Sequence, residues 1–205
     1  MPGNLVAVIG STHRRVHDQL FFVSIVLMNE TDDLQLIREV QQGNGESFGK
    51  LLAKYEKAIF NAAYRIIRDY EDAKDVTQNV FLKAYENLGG FDPRHRFFSW
   101  IYRIAINESI NLCKSKRRFE VAEDTRVESN TPEKLLSRTE LGRVIEKALM
   151  SLGLEYRVVI VLRHFNDCDY RELSEILEIP EKTVKSRLFT ARALLRDILS
   201  KRGIL

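Results

Sequence analysis

At 205 residues the chain is long enough to bury a sizeable core as one medium domain or two small ones. Only 10 Gly and 4 Pro interrupt a composition of 44% hydrophobic and 30% charged residues, so long helices and an all-α fold are expected. A net charge of +3 excludes a chain that grips a polyanion over its whole surface, so charge has to be read locally.

Residues 1–32 read as an N-terminal extension without an assignable element. Their strongest apolar run, Leu20–Met28, is about half the roughly 20 residues a membrane span needs. His13, Arg14 and Arg15 precede that run, but no small-residue cleavage site follows, and Glu30, Asp32 and Asp33 come next. Membrane insertion and export are therefore not expected, and a cytoplasmic protein is. Met28 directly precedes the first clean helical pattern, so residues 1–27 read as lying outside the fold or as upstream sequence. His13 and His17 stand four apart with no third ligand nearby, so no metal is expected there. Cys113 and Cys168 lie in no CxxC or CxxH context, which fits buried thiols in a reducing compartment rather than a disulfide or zinc site.

From Asp33, apolar residues at Leu34, Ile37 and Val40 predict a helix that ends at Gly43. A second helix from about Ser47 carries Phe48, Leu51, Leu52, Tyr55, Ile59, Ala62 and Ile66. A third, about 71–88, carries Ala73, Val76, Val80, Ala84 and Leu88 and stops at Gly89 and Gly90. After the loop Phe91–Arg96 a fourth helix, about 97–116, should bury Ile101, Ile104, Ala105 and Leu112 before the basic run Lys114, Lys116, Arg117, Arg118. This closes a domain of residues 33–118. Residues 119–136 begin with the polar, aperiodic FEVAEDTRVESNTP and read as a linker. A smaller helical domain, 137–205, follows, with Leu141, Val144, Ile145, Ala148 and Leu152 on one helix and Val158, Val159, Leu162 and Phe165 on the next.

Asp169 and Glu172 then form a D-x-x-E capping box on a short helix with Leu173, Ile176 and Leu177 inward, and Pro180 opens the next helix. In that helix Val184, Leu188, Ala191, Leu195 and Ile198 make one face and Lys182, Lys185, Phe189, Arg192 and Arg196 another. A capped short helix, a tight turn and a basic helix make helix-turn-helix grammar, which suits the major groove of duplex DNA. The plainer alternative is an amphipathic helix with a solvated charged face.

The loop and fourth helix gather Phe91, Phe97, Phe98, Trp100 and Tyr102 beside Arg94, His95, Arg96 and Arg103. Aromatic rings interleaved with cations suit unstacked bases on a single strand, each stacked base contributing about 1 to 3 kcal/mol. Arg96, Trp100, Arg103, Asn107, Asn111 and Lys114 share one face at helical spacing. Some of the rings are expected to roof the core instead. The third helix offers Asp72, Asp75, Gln78, Asn79, Lys83 and Glu86 with Leu82 among them, a surface better suited to a protein partner than to DNA.

At three segments the chain resembles the extracytoplasmic-function sigma factors of the sigma-70 family: DAKDVTQNVFLKAYENL (72–88), FFSWIYRIAINESINLCKSKRR (97–118) and YRELSEILEIPEKTVKSRLFTARALLR (170–196). The resemblance covers nearly everything from Asp33 to Leu199. It implies that region two (33–118) binds core RNA polymerase and melts the minus-ten element, and that region four (137–200) reads the minus-thirty-five element of promoter DNA. Carried over by position, Asp75, Gln78, Asn79 and Leu82 face the polymerase. Phe91, Arg94, Arg96, Trp100, Arg103, Asn107, Asn111 and Lys114 serve the melted strand, with Phe91 and Asn107 holding one extruded base. Lys182, Thr183, Lys185, Ser186, Arg187, Phe189, Arg192 and Arg196 serve the recognition helix. Lys185 and Arg187 are its base-edge candidates; Arg192 and Arg196 are its phosphate contacts.

The sequence departs from the family pattern at Asn79, where Glu is common, at Gly153, where Pro is usual, and at Cys168 and Asp169, where a Leu-Ser pair is usual. The resemblance further implies that the linker threads towards the polymerase active centre and that the factor directs transcription in a stress or envelope response. Such factors are often held by an anti-sigma factor, though nothing in the sequence identifies one.

Two rivals stand beside this reading. A two-domain helix-turn-helix regulator acting without core polymerase would share the C-terminal half, but its other domain should offer a dimer seam or ligand pocket. An enzyme is disfavoured: no phosphate loop, G-x-S-x-G, H-E-x-x-H or Cys-His pairing occurs, and no cofactor is expected.

Overall fold

The computed structural model describes residues 30–123 and 140–202. The Leu20–Met28 run, the His13 and His17 pair and the rest of the expected linker lie outside them. Among the described residues there are eight α-helices and no strand: α1 (Glu30–Gln41), α2 (Gly45–Ile67), α3 (Tyr70–Asn87), α4 (Phe97–Glu123), α5 (Glu140–Met150), α6 (Leu154–Phe165), α7 (Tyr170–Leu177) and α8 (Glu181–Ser200). A 3-10 turn, Leu88–Gly90, follows α3. No described helix is long and apolar enough to cross a membrane. The chain divides into two compact units after Lys54, inside α2.

In the first unit α1 ends where Gly43 turns the chain at φ 97, a backbone conformation that glycine adopts without a Cβ clash. Asn44 Oδ1 accepts the Glu46 amide at 3.1 Å and starts α2. Ile37 and Leu51 are buried, and Asp33 pairs with Lys54 at 2.6 Å. The Ser47 hydroxyl donates to the Glu39 carboxylate.

In the second unit Asp69 caps α3 by accepting the Asp72 amide at 3.0 Å, and α3 buries the expected Ala73, Val76, Val80 and Ala84. It packs on α4, where Lys83 pairs with Glu108 at 2.7 Å and Lys116 pairs with Asp72. The helix α4 runs to Glu123, seven residues past the expected end at Lys116. Its buried residues include Ile101 and Ala105, as the sequence stripe requires, but also Phe98, Tyr102 and Ile106. Ile104 and Leu112, expected inside, are only half-buried.

The wider buried face has a physical cause, because α4 is covered from two sides. On its second side lies α7. Residues Val158–Leu162 of α6 are all buried, and α8 packs across α6 and α7 through Val184, Leu188, Ala191, Leu195 and Leu199. Each fully buried Leu or Ile contributes about 1.5 to 3 kcal/mol. The two helical blocks on either side of the expected linker thus share one compact unit.

Arg157 ties them together. Only 8% exposed, its guanidinium donates to the carbonyls of Ile66 (2.6 Å), Leu149 (3.2 Å), Met150 (2.9 Å) and Leu152 (3.2 Å). One cation therefore satisfies carbonyls at the C-terminal ends of α2 and α5, where helices leave acceptors without intrahelical partners. Desolvation lowers the pKa of Arg157 from its usual value. Around it, Arg68 pairs with Glu146 at 2.6 Å and the Arg65 guanidinium lies 4.5 Å from the Phe165 ring centre.

Candidate polymerase and nucleic-acid interfaces

Three surfaces carry the residues singled out in the sequence. On α3 the helical period that buries Ala73, Val76, Val80 and Ala84 turns Asp75, Gln78, Asn79 and Leu82 outward, and all four are exposed. Leu82 is 57% exposed, and Tyr85, one turn further on and not anticipated, is 53% exposed. Two neighbouring large apolar side chains held in water beside carboxamides and a carboxylate are the composition of a protein-docking surface.

The second surface is the outer face of α8. The capping box of α7 is formed in full: Asp169 Oδ1 accepts the Glu172 amide, and Glu172 Oε2 accepts the Asp169 amide, both at 2.8 Å. Leu173 and Ile176 are buried as expected, while Leu177 is half-buried. Glu178 turns the chain in the left-handed region at φ 54, where glycine is usual. Pro180 stands as N-cap of α8 rather than as its first helical residue. On α8, Lys182, Lys185, Ser186, Phe189 and Arg196 are exposed, with Phe189 at 77% the most exposed large apolar side chain among the described residues. Thr183, Arg187 and Arg192 are half-buried. Arg192 Nε donates to His164 Nε2 at 3.3 Å, Lys185 sits 5.4 Å from the Tyr170 ring centre, and Arg187 lies 4.0 Å from Glu155. The face is cationic, convex and ring-bearing, as a helix entering a major groove needs to be.

The third surface, the loop 91–96 with α4, departs from expectation. Phe91 is only 6% exposed, its ring packed edge-on against Phe97 (5.8 Å) and Trp100 (5.4 Å). Phe91, expected to stack on an extruded base, is buried in this arrangement. Phe97, Phe98 and Tyr102 are buried too, and Trp100 is half-buried. Tyr55 meets Phe97 at 5.4 Å from below, so the aromatic run forms a roof on the core, with Trp100 at its edge. Arg94 is exposed and forks onto Asp92, both contacts of its Nε and Nη2 to Asp92 Oδ2 lying within 2.9 Å. That hydrogen bond is the main reason the Asp92 pKa is lowered to about 2.

The predicted strip on α4 is split. Asn107, Asn111 and Lys114 are exposed, whereas Arg96 and Arg103 are turned onto α7. Arg96 donates to the Glu172 carboxylate, and Ser99 Oγ donates to Glu175 Oε2 at 3.0 Å. Arg103 donates to the Glu175 carbonyl through Nε (3.1 Å) and Nη2 (2.8 Å), and its Nη1 lies 3.2 Å from Glu178. Beneath, Asn166 Nδ2 donates to the buried Tyr102 hydroxyl at 2.9 Å. Sequence reasoning missed these partners. The available signal was an acidic row, Glu172, Glu175 and Glu178, on the short helix of a DNA-binding unit, where phosphates would repel it. Burial raises the pKa of Cys168 and, less completely, of Cys113, so neither thiol is poised for chemistry. Among the described residues no three His, Cys, Asp or Glu side chains are gathered to hold a metal.

These surfaces coincide with known families. Residues 51–119 match the Sigma-70 region 2 family and residues 142–195 match the Sigma-70, region 4 family. The chain is 32% identical over 176 residues to the ECF RNA polymerase sigma factor SigW of Bacillus subtilis, covering 80% of this chain and 94% of that protein. It is 30% identical over 179 residues to the RNA polymerase sigma-H factor of Pseudomonas aeruginosa, covering 81% and 93%. Among solved structures it is similar to CnrH in complex with the cytosolic domain of CnrY, at a TM-score of 0.66 and 29% identity over 83% of this chain and 98% of that one. With both regions matched in order and these relatives spanned nearly end to end, the chain belongs to the extracytoplasmic-function sigma factors of the sigma-70 family.

Proposed function

We propose that this sigma factor docks on core RNA polymerase through α3, reads the upstream promoter element with the outer face of α8 and holds the melted strand along α4, in the cytoplasm and with no catalysis of its own. The observation that carries the reading is the pair of outward faces on one chain. Leu82 and Tyr85 stand in water among Asp75, Gln78 and Asn79, and Phe189 stands in water among Lys182, Lys185 and Arg196. The first is dressed for protein and the second for a polyanion, as a factor that bridges polymerase and promoter requires and a regulator acting alone does not. On α4, Trp100, Asn107, Asn111 and Lys114 are the residues offered to the strand. CnrH is solved in complex with the cytosolic domain of CnrY, and an anti-sigma partner that binds this chain is part of the proposal.

The test is assembly with purified core polymerase followed by run-off transcription. Asp75→Arg places a cation in a polar, acidic docking surface and should weaken assembly about tenfold, the effect of introducing one like-charge or unpaired contact at an interface. Unchanged assembly would remove α3 from the interface.

A further inference from the structure

The seam between α4 and α7 joins the residues expected to hold DNA to a row of carboxylates. Arg96, just before α4, and Arg103, on it, flank Trp100, and each donates to oxygens of α7 or its C-cap: the Glu172 carboxylate for Arg96, and the Glu175 carbonyl and Glu178 carboxylate for Arg103. A guanidinium meets a phosphate with the same planar set of donors, so the oxygens of α7 occupy the positions that strand phosphates would need. Ser99, between the two arginines, is also committed, to Glu175. The coverage is selective. Asp75, Gln78, Asn79 and Leu82 on α3 stay exposed, and so do Lys182, Lys185, Ser186, Phe189 and Arg196 on α8.

We propose that α7 is a built-in stand-in for the melted strand: in the free chain its acidic row closes the Arg96–Arg103 half of α4, and single-stranded DNA and α7 compete for the same two guanidinium groups. The chain is then open to polymerase while shut to melted DNA, which orders its encounters: polymerase first, strand second. This rests on the reading of α4 as the strand-holding helix. The closure is of the kind a small perturbation can shift, because Arg103 and Glu178 are partly solvated and their pairing is screened, while the Tyr102 to Asn166 bond ties α4 to the end of α6 from within.

The test compares the full-length chain with Glu172→Gln/Glu178→Gln, which neutralises the two carboxylates that face Arg96 and Arg103, by fluorescence anisotropy, using a labelled mixed-sequence single-stranded DNA. The amide oxygen introduced by Glu172→Gln can still accept the Asp169 amide, so the cap of α7 is kept. A matched control, Glu56→Gln/Glu71→Gln, removes the same charge from exposed positions on α2 and α3. Thermal melts establish that all three proteins are folded. The expected result is about a fivefold gain in strand affinity for the α7 variant and less than about twofold for the control, with faster amide exchange at residues 96–103 in the former. Equal affinities in wild type and α7 variant, including no binding by either, would overturn the closure, as would an equal gain in the control. The strand reading itself is tested apart, in holoenzyme: if Trp100→Ala leaves the affinity of assembled holoenzyme for the same strand unchanged, α4 is not the strand-holding helix, whatever α7 does.

Discussion

Replacing Phe91 with alanine separates a packing role from a strand-holding one. Phe91 is 6% exposed and touches Phe97 and Trp100 edge-on. Truncating a buried Phe costs about 3 to 5 kcal/mol through lost transfer energy and the cavity left behind. Phe91 closes a loop rather than the centre of the core, so the lower end, about 3 kcal/mol, is expected. For a chain of this size that corresponds to a fall in melting temperature of roughly 6 to 12 °C. Calorimetry reads the shift directly, and open-complex formation on duplex and pre-melted bubble templates reads function. A packing role predicts the thermal shift and no particular rescue by the bubble. If the melting temperature moves by less than about 2 °C and the bubble restores open-complex formation, the ring leaves its pocket to meet a base and the packing argument fails.

Three further outcomes are expected. Arg157→Met removes a donor from four carbonyls, of which Leu149 keeps the Leu152 amide and Ile66 the Cys113 thiol, and should lower unfolding free energy by about 3 kcal/mol, seen as an earlier urea midpoint; a shift under about 1 kcal/mol would mean that water replaces the guanidinium. Arg196→Ala, at an exposed site on α8, should weaken holoenzyme binding evenly across upstream sequences and reduce the salt slope by about 1, whereas an altered base preference with the slope intact would make it a base-reading residue. The folded pKa of Asp92 lies below its ordinary 3.8, at about 2, so its pairing with Arg94 stabilises the loop above pH 3.8 and is lost as pH falls towards 2. Carboxyl-carbon NMR should show that titration, and Arg94→Ala should return it towards 3.8.

Helices with one buried face were the easiest to anticipate. The stripes of α3 and α8 alternate cleanly between apolar and polar because each helix packs on one side and meets water on the other, and Val76, Val80, Val184 and Leu188 fell where the period put them. On α4 the same reasoning stopped short. Covered on two sides, the helix buries Tyr102 and Ile106 as well as Ile101, and periodicity read for one neighbour cannot allocate the second side. The charges of Arg96 and Arg103 were visible, but a cation in sequence does not say whether its anion is a nucleic acid or a carboxylate 70 or so residues away in the same chain. Arg157 was illegible for a different reason: within LEYRVVIVL its charge reads, like that of Glu155, as a solvated position, and only the meeting of two helix ends in space reveals the carbonyls it satisfies.

One carboxylate answers to two demands. Glu172 Oε2 closes the capping box on the Asp169 amide while its Oε1 holds Arg96, so the first turn of α7 and the seam with α4 share a side chain. Linkage makes the sharing reciprocal. Whatever draws Arg96 away relaxes the rotamer that completes the cap, and whatever tightens the cap makes Arg96 harder to withdraw, by the same factor in each direction. If a strand takes Arg96 as proposed, the start of α7, the helix packed against α8, softens with it.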